Sequence, residues 1–319
     1  MSGNALVAGS AEWIAERRTG LGGTDMPKIL GVSRFGGPMD VFMEKAGLTA
    51  PLIESEAMEW GKLLEDPVAR KYADKTGRKV SRAAGFIRRA GFPYLYANID
   101  RWSDKRGTPR RVLEVKTAGE FNVKDFGTEG TDQVPPDYLL QVMHYLSVTG
   151  KDEADLAVLI GGQKHRVYTI ERDADLIDGM TEVAAKFWSD KEQGIAPDID
   201  GSEGSSLFLA HKFADTGVEL PMTDDLAMLA TAYAALKADV KAREGEMALT
   251  GNRIRELMGN ARWAEGSGVR VVYSERKGAA TVRWADLAAA FSVLPAQIKA
   301  FTTDGDPTRS LTVTMKGDV

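Results

Sequence analysis

Several residue types and motifs are missing from this 319-residue sequence, and each absence excludes a class of chemistry. There is no cysteine, which excludes disulfides, zinc–thiolate sites and cysteine nucleophiles. The three histidines form no HxxxH pair, and no G-x-x-x-x-G-K-[ST] loop for ATP phosphates is present. No apolar run of about 18 residues exists, and the first residues lack the basic start and apolar core of a secretion signal. We therefore expect a cytoplasmic protein without a membrane span.

The charge is unevenly distributed, although the whole chain is acidic. The formal net charge is −5, but ten basic and only two acidic residues lie between Arg78 and Arg111, a local charge of +8. A polyanion such as DNA can bind a local basic patch on an acidic protein. The alternative is a solvated face, which a charge run alone does not exclude.

The spacing of the apolar residues predicts an α/β chain. Two-residue alternation predicts strands over residues 92–100 and 111–117, and Gly161-Gly162-Gln163 predicts a hairpin between two further strands. A long helical pattern over 56–76 contains Pro67, which predicts a kink or a division there. A further helix is predicted over 136–148.

The composition changes after residue 200. The polar stretch from Gly201 to Ser206 predicts a linker over 201–222, between a core domain of residues 1–200 and a C-terminal region of residues 223–319. This last region is expected to contain a long helix, a hairpin, short helices and a final strand over 310–315. It is either an accessory arm or a stabilising appendage, because an amphipathic stripe is first of all a packing surface.

The candidate catalytic motif consists of Asp100 and, after a gap of 13 residues, Glu114-Val115-Lys116. If the strands over 92–100 and 111–117 pair, the three charged side chains meet at one edge of a sheet. Two carboxylates at one point repel each other unless a cation lies between them, and Mg²⁺ or Mn²⁺ prefers such oxygen ligands. Lys116 could then orient water or stabilise charge on the phosphate. The alternative is a surface ion pair between Glu114 and Lys116.

Other side chains extend this pattern. Tyr138, Gln141 and Tyr145 share one face of the predicted helix, where Gln and Tyr could reach a phosphate or water; otherwise they are ordinary half-buried helix residues. Glu65 could be a third carboxylate for a second metal ion, or a solvated helix residue. Near the start, Arg17 and the turn Gly22-Gly23-Thr24 could bind a phosphate, or Thr24 could simply cap a helix.

These pieces, in this order from Trp13 to Tyr145, resemble the lambda-type alkaline exonucleases, the YqaJ-type viral recombinase family within the PD-(D/E)XK nuclease superfamily. The resemblance rests on Trp13…Arg17…Gly22-Gly23-Thr24, Gly61…Glu65-Asp66-Pro67, Asp100, Leu113-Glu114-Val115-Lys116-Thr117 and Tyr138…Gln141…Tyr145. The family usually has Ser where this chain has Thr24, which keeps the hydroxyl. The resemblance does not clearly cover residues 220–319.

The resemblance implies a fold and a set of roles. The fold would be a restriction-endonuclease-like α/β core, a central mixed sheet flanked by helices, with a C-terminal helical and β-hairpin extension. Asp100, Glu114 and the Val115 carbonyl would bind metal, Lys116 would assist the water, and Glu65 would support a second Mg²⁺. Arg17 and Thr24 would hold the 5′-phosphate of a DNA end and Gln141 would contact the scissile region. Further DNA contacts are expected at Arg34, Tyr138 and Tyr145.

The resemblance also implies an activity and partners. Such enzymes degrade one strand of duplex DNA from 5′ to 3′ and leave a 3′ overhang for a single-strand annealing protein. They form trimeric rings around DNA, and a phage or prophage origin would place this protein in a bacterial host. Two alternatives stay open: an endonuclease of restriction or repair type, and a non-catalytic DNA-end-binding protein. The first lacks a use for an end-binding pocket, and the second lacks a use for clustered carboxylates.

Overall fold

The computed structural model of the protein describes residues 9–49, 55–83, 85–213, 215–275, 283–302 and 311–313. The chain forms two compact units, Met1–Ala214 and Asp215–Val319. The described part of the first unit contains, besides a 3-10 helix over Glu120–Asp125, α1 (Ala11–Arg18), α2 (Met26–Ile29), α3 (Pro38–Ala46), α4 (Glu56–Thr76), β1 (Lys79–Arg82), β2 (Ile87–Arg89), β3 (Phe92–Ala97), β4 (Arg101–Asp104), β5 (Arg111–Ala118), α5 (Pro136–Thr149), β6 (Glu153–Ile160), β7 (Lys164–Glu171), α6 (Ala174–Glu192) and α7 (Glu203–Lys212).

A five-stranded mixed sheet lies at the centre of the first unit, in the order β1-β4-β5-β6-β7. β5 pairs antiparallel with β4 and parallel with β6, while β6 and β7 form the predicted hairpin. A parallel pair needs a crossover connection, and α5 lies in the connection between β5 and β6. The predicted core, a central mixed sheet flanked by helices, is confirmed.

The segment predicted as one strand over 92–100 is divided. β3 ends at Ala97, and Asp100 lies in a bend before β4. β4, rather than β3, is the neighbour of β5, so the predicted pairing of 92–100 with 111–117 was wrong. The reason is that both edges of β3 are already used: β2 pairs with one, and on the other Leu21 donates to the Tyr94 carbonyl and accepts from the Tyr96 amide.

Helices cover both faces of the sheet. On one face, Val68, Ala69 and Tyr72 of α4 pack against the β5 side chains Leu113 and Val115. On the other face, α5 packs against the sheet within the larger core cluster. α4 runs through Pro67 as a single helix of 21 residues, so of the predicted kink or division the division is absent. The residues that follow the proline are those buried on the sheet.

The first unit extends further than the predicted core of residues 1–200. α7 lies inside the predicted linker and packs on α3, where the rings of Phe208 and Phe42 meet edge to face at 5.9 Å. Gly204 of α7 also lies close to Asp40, since a Cβ at this glycine would be 2.6 Å from that carboxylate. The polar composition of residues 201–206 therefore reflects a helix start capped by Ser202, rather than the start of a flexible connection.

The second unit begins with a long helix. Its described elements are α8 (Asp224–Met258), the hairpin strands β8 (Trp263–Gly266) and β9 (Val269–Val272), α9 (Trp284–Ala290) and α10 (Pro295–Ala300). The predicted long helix, hairpin and short helices are confirmed. The predicted final strand over 310–315 lies largely outside the described residues. Among those residues, no helix is both long and apolar enough to cross a membrane.

Candidate active site

The alternation of β5 brings Glu114 and Lys116 to one face of the sheet, beneath α5. Glu114 is only 2% exposed, and its Oε1 accepts hydrogen bonds from Lys116 Nζ at 2.6 Å and from Gln141 Nε2 at 2.7 Å. Its other oxygen, Oε2, is buried without a hydrogen-bond partner among the described residues. A buried carboxylate oxygen without a partner is costly, so this atom is suited to a cation.

Asp100 reaches the same place from the bend before β4. Its Oδ2 accepts a hydrogen bond from the Val115 amide at 2.8 Å, just beyond the point where β4 stops pairing with β5. In an antiparallel ladder, the N–H and C=O of one residue face the same neighbour. The Val115 carbonyl therefore faces the side of β5 on which Asp100 lies.

The carboxylate of Glu114 is close enough to Asp100 to change the ionisation of Asp100. Burial and the Glu114 charge raise the pKa of Asp100 to about 7, although Lys116 and the Val115 amide oppose the shift. Burial favours the neutral form of Lys116, but Glu114 and Asp100 outweigh it and raise the pKa of Lys116 to about 12. The site thus holds more negative charge than one lysine compensates.

These groups could serve as donors for a hard cation. Asp100, Glu114 and the Val115 carbonyl offer oxygen ligands of the kind that Mg²⁺ and Mn²⁺ prefer. Within the described ranges, no cluster of three or more His, Cys, Asp or Glu side chains has metal-site geometry. The third predicted carboxylate, Glu65, is instead bonded to Arg101.

Arg101 is the residue of this site that sequence reasoning missed. Its guanidinium is buried, donates to the Asp100 carbonyl at 2.7 Å, and forms ion pairs with Glu65 and Asp66. Burial and the charge of Asp100 raise the pKa of Glu65, which indicates that these two carboxylates lie near each other despite Arg101. The available signal was that Arg101 directly follows Asp100 at the start of a strand that must be buried.

The glycine turn lies against the helix that carries Gln141. A Cβ at Gly23 would lie 2.5 Å from the Tyr145 ring and 3.1 Å from Gln141 Cγ, so only glycine allows this approach. The Tyr145 hydroxyl accepts a hydrogen bond from Gln141 Nε2 at 2.8 Å. Tyr145 is 4% exposed and holds Gln141 in place from the interior, and its predicted contact with DNA stays a prediction.

The two residues predicted to bind a 5′-phosphate have different surroundings. Thr24 is exposed next to Gly23. The Arg17 side chain is 21% exposed and bonded to Glu44 at 3.0 Å and to Asp25 at 3.5 Å. Lys45 and Arg17 hold the pKa of the buried Asp25 at about 2 against the effect of burial. Arg17 is therefore held in one orientation by carboxylates, with part of its surface still accessible.

Tyr138 lies beside Lys116, and Arg34 pairs with Asp137, the residue before Tyr138. Lys116 Nζ is 5.6 Å from the centre of the Tyr138 ring, a cation–π distance. Arg34 pairs with Asp137 at 3.4 Å, and its side chain is 43% exposed. The structure thus brings Asp100, Glu114, Lys116, Gln141 and Tyr138 together, with Arg34 partly exposed at the side.

The basic run from Arg78 to Arg111 is not a free cationic patch. Within the part of the chain that the structure describes, five of its ten basic residues form ion pairs: Arg82, Arg88, Arg101, Arg110 and Arg111. Four of these pair with acidic residues outside residues 78–111. The local charge of +8 was counted within residues 78–111 only, so it did not include those acids. Arg78 is buried and donates to Ser103, Thr108 and two backbone carbonyls.

The mixed sheet thus brings Asp100, Glu114 and Lys116 to one site. Residues 12–152 match the family model of the YqaJ-like viral recombinase domain. The chain is 38% identical over 210 residues to the uncharacterized protein YqaJ of Bacillus subtilis strain 168, covering 64% of each protein. It is 24% identical over 153 residues to an uncharacterized protein of Acanthamoeba polyphaga mimivirus, covering 46% of this chain and 28% of that protein.

The chain spans less than two thirds of the length of either relative. Among solved structures, an alkaline exonuclease from Laribacter hongkongensis is 17% identical with a TM-score of 0.46, covering 58% of this chain and 94% of that chain. A phage-related exonuclease from Haemophilus somnus is 13% identical with a TM-score of 0.44, covering 55% and 95%.

Proposed function

We propose that the protein is a Mg²⁺-dependent 5′-to-3′ exonuclease of double-stranded DNA that leaves 3′ single-stranded overhangs. The observation that supports this best is the buried Glu114 carboxylate beside Asp100. One oxygen of Glu114 accepts hydrogen bonds from Lys116 and Gln141, and the other has no partner among the described residues. A structural ion pair has no need of a second buried carboxylate that raises its electrostatic cost. A metal-dependent hydrolase has that need.

Asp100, Glu114 and the Val115 carbonyl would hold the ion, with Mn²⁺ as a substitute for Mg²⁺. When bound, the ion supplies Lewis-acid stabilisation of charge at the scissile phosphate. We propose that Glu65 supports a second ion after exchanging its contact with Arg101. Before that exchange, the ion pair with Arg101 keeps Glu65 near the site.

Lys116 is the chain's own cation at this point. Because its pKa is about 12, it stays protonated at neutral pH and stabilises negative charge that develops on the phosphate. Gln141 donates both hydrogens of Nε2, one to Glu114 and one to Tyr145, so its Oε1 is held in a fixed position. From there Oε1 can accept a hydrogen bond from a water in the scissile region without first becoming ordered.

The end of the DNA would be bound beside this site. Arg17 and the hydroxyl of Thr24 would contact a terminal 5′-phosphate, and Arg34 and Tyr138 would contact the strand near the scissile bond. The overhang would be passed to a single-strand annealing protein in phage-type recombination in a bacterial host. We also propose a trimeric ring of this chain around the duplex.

A plasmid assay tests the activity. We expect Mg²⁺-dependent degradation of linear plasmid and none of closed circles, with EDTA as the negative control. Cutting of circles would indicate an endonuclease, and binding without degradation would indicate a DNA-end-binding protein. Duplexes labelled at the 5′ or the 3′ end decide the direction, because early release of the 5′ label alone is expected.

A further inference from the structure

The long helix α8 of the second unit carries an apolar seam. Eight apolar residues recur along it at alternating intervals of three and four, apart from two polar interruptions: Leu226, Leu229, Tyr233, Leu236, Val240, Met247, Ile254 and Leu257. Arg243 and Thr250 occupy the two remaining positions of the same pattern. The seam therefore keeps a seven-residue repeat from residue 226 to residue 257.

This seam is exposed to solvent. Of the α8 residues, all of which the structure describes, none is buried, and Leu236, Met247 and Leu257 are 65%, 71% and 90% exposed. α8 has 35 residues, so the seam runs along a helix of about 52 Å. An exposed apolar surface of this length is typical of an interaction site.

The period of the seam indicates the kind of partner. A repeat of 3.5 residues per turn drifts by about 20° per heptad on a straight helix, and two supercoiled helices remove that drift. A helix that packs on a globular surface usually has a wider stripe. Here the positions that flank the seam between 230 and 253 are small or charged: Ala230, Ala232, Lys237, Asp239, Glu244, Glu246, Gly251 and Arg253. The apolar seam of α8 is therefore as narrow as the seam of a coiled-coil helix.

The charged residues indicate the direction of pairing. In a parallel pair, Arg243 would face Arg243 of the second copy inside the seam. Asp239 would also lie beside Glu244 of the second copy, and both contacts join like charges. In an antiparallel pair, Lys237 lies opposite the other Glu244, while Asp239 lies opposite the other Glu246. Arg243, opposite Val240 of the second copy, lies within reach of both of these acids and compensates their repulsion. Arg243 already forms an ion pair with Glu246 at 2.9 Å, so its charge is compensated at the edge of the seam.

We infer that α8 forms an antiparallel two-stranded coiled coil with α8 of a second copy of this chain. The pairing is Leu226 with Leu257, Leu229 with Ile254, and Leu236 with Met247 of the other copy. This two-fold contact is separate from the trimeric ring proposed above, and it does not depend on the nuclease function.

Cysteine cross-linking in the full chain tests the direction, because the chain has no cysteine of its own. The double variant Leu229→Cys/Ile254→Cys is expected to form a disulfide-linked dimer on mild oxidation. Neither single variant is expected to form it, since each thiol faces the other position. Cross-linking of a single variant by itself would indicate parallel helices and overturn the arrangement. A double variant that stays uncross-linked would overturn the self-association.

Sedimentation of a matched pair of full-length variants tests the seam. Leu236→Glu places a charge in the seam, whereas Met228→Glu places it outside, and the two residues are equally exposed at 65% and 63%. Leu236→Glu is expected to halve the mass of the assembly, whether or not the first unit also oligomerises, while Met228→Glu keeps it. Equal masses for Leu236→Glu and the unaltered protein would overturn the proposal. Circular dichroism checks that both variants keep their helix.

Discussion

The two compact units differ in where their helices bury apolar side chains. In α5 of the first unit, ten of 14 residues are buried by the rest of that unit, and Gln141 and Tyr145 are oriented as part of the same packing. In α8 of the second unit, none of the 35 described residues is buried. The first unit thus completes its core within one chain and builds a site on it, whereas the seam of the second unit requires another helix.

The largest difference between the units is expected in catalysis. Lys116→Ala should lower the cleavage rate by about 10²–10³-fold, because the charge that stabilises the transition state is lost. Binding to DNA ends, measured by gel shift, should persist. The exposed Lys124→Ala is the control and should cleave normally. Near-normal turnover of Lys116→Ala would remove this residue from the mechanism.

The second-largest difference between the units is expected in the effect of truncating a leucine on the stability of the first unit. Leu146 of α5 is fully buried and Leu236 of α8 is 65% exposed, so the same truncation has different consequences. Leu146→Ala should cost the first unit about 2–5 kcal/mol, and Leu236→Ala should cost it no more than about 0.5 kcal/mol. Thermal inactivation of the nuclease measures this. If both variants lower the inactivation temperature equally, the two units are not independent.

The pH dependence of stability should report on Asp100. Its pKa in the folded state, about 7, exceeds the ordinary value of 3.8, so the fold binds this proton more tightly than the unfolded chain does. In EDTA, the contribution of Asp100 should be present in full below about pH 4 and be lost as the pH rises to about 7. Asp100→Asn should flatten this slope in thermal unfolding, whereas Asp225→Asn in α8 should leave it unchanged.

Asp100→Asn should also weaken Mn²⁺ binding in calorimetry, because a ligand charge is lost. Unchanged Mn²⁺ affinity would contradict the assignment of Asp100 as a ligand.

The smallest effect is expected at the DNA end. Arg17→Ala should slow digestion of 5′-phosphorylated ends by about tenfold and leave 5′-hydroxyl ends nearly unaffected, because one charge-assisted contact to the phosphate is lost. Comparison of the two substrates measures this. Arg17→Lys is the control for the ion pairs with Asp25 and Glu44. Equal losses on both ends would show that Arg17 acts through the fold.

Elements with a strong local period were predictable. The alternation in β5 and the glycine hairpin between β6 and β7 appear in the structure as expected. The division of residues 92–100 was not predictable, because it depends on Leu21 occupying the free edge of β3. The extent of the first unit was misjudged for a similar reason, since the contact between Phe208 and Phe42 joins residues far apart in the sequence.

The candidate site shows the same limit. The spacing of Glu114 and Lys116 placed both on one face of a strand, but the alternative of an exposed ion pair was excluded only by the burial of Glu114. The contact between Glu65 and Arg101 and the neutralisation of the basic run also depend on partners from other elements.

By itself, the sequence determined the periods: two residues in β5, which align Glu114 with Lys116, and seven residues in α8, which align its apolar seam. The need for glycine at position 23, in contrast, comes from the tertiary contact with Tyr145. The tertiary structure alone decided which polar and charged side chains meet. Gln141 and Asp100 approach Glu114, and Arg101 pairs with Glu65, each from a separate element. Periodicity is set by neighbouring residues, whereas the partners of a buried charge depend on which surfaces the fold brings together.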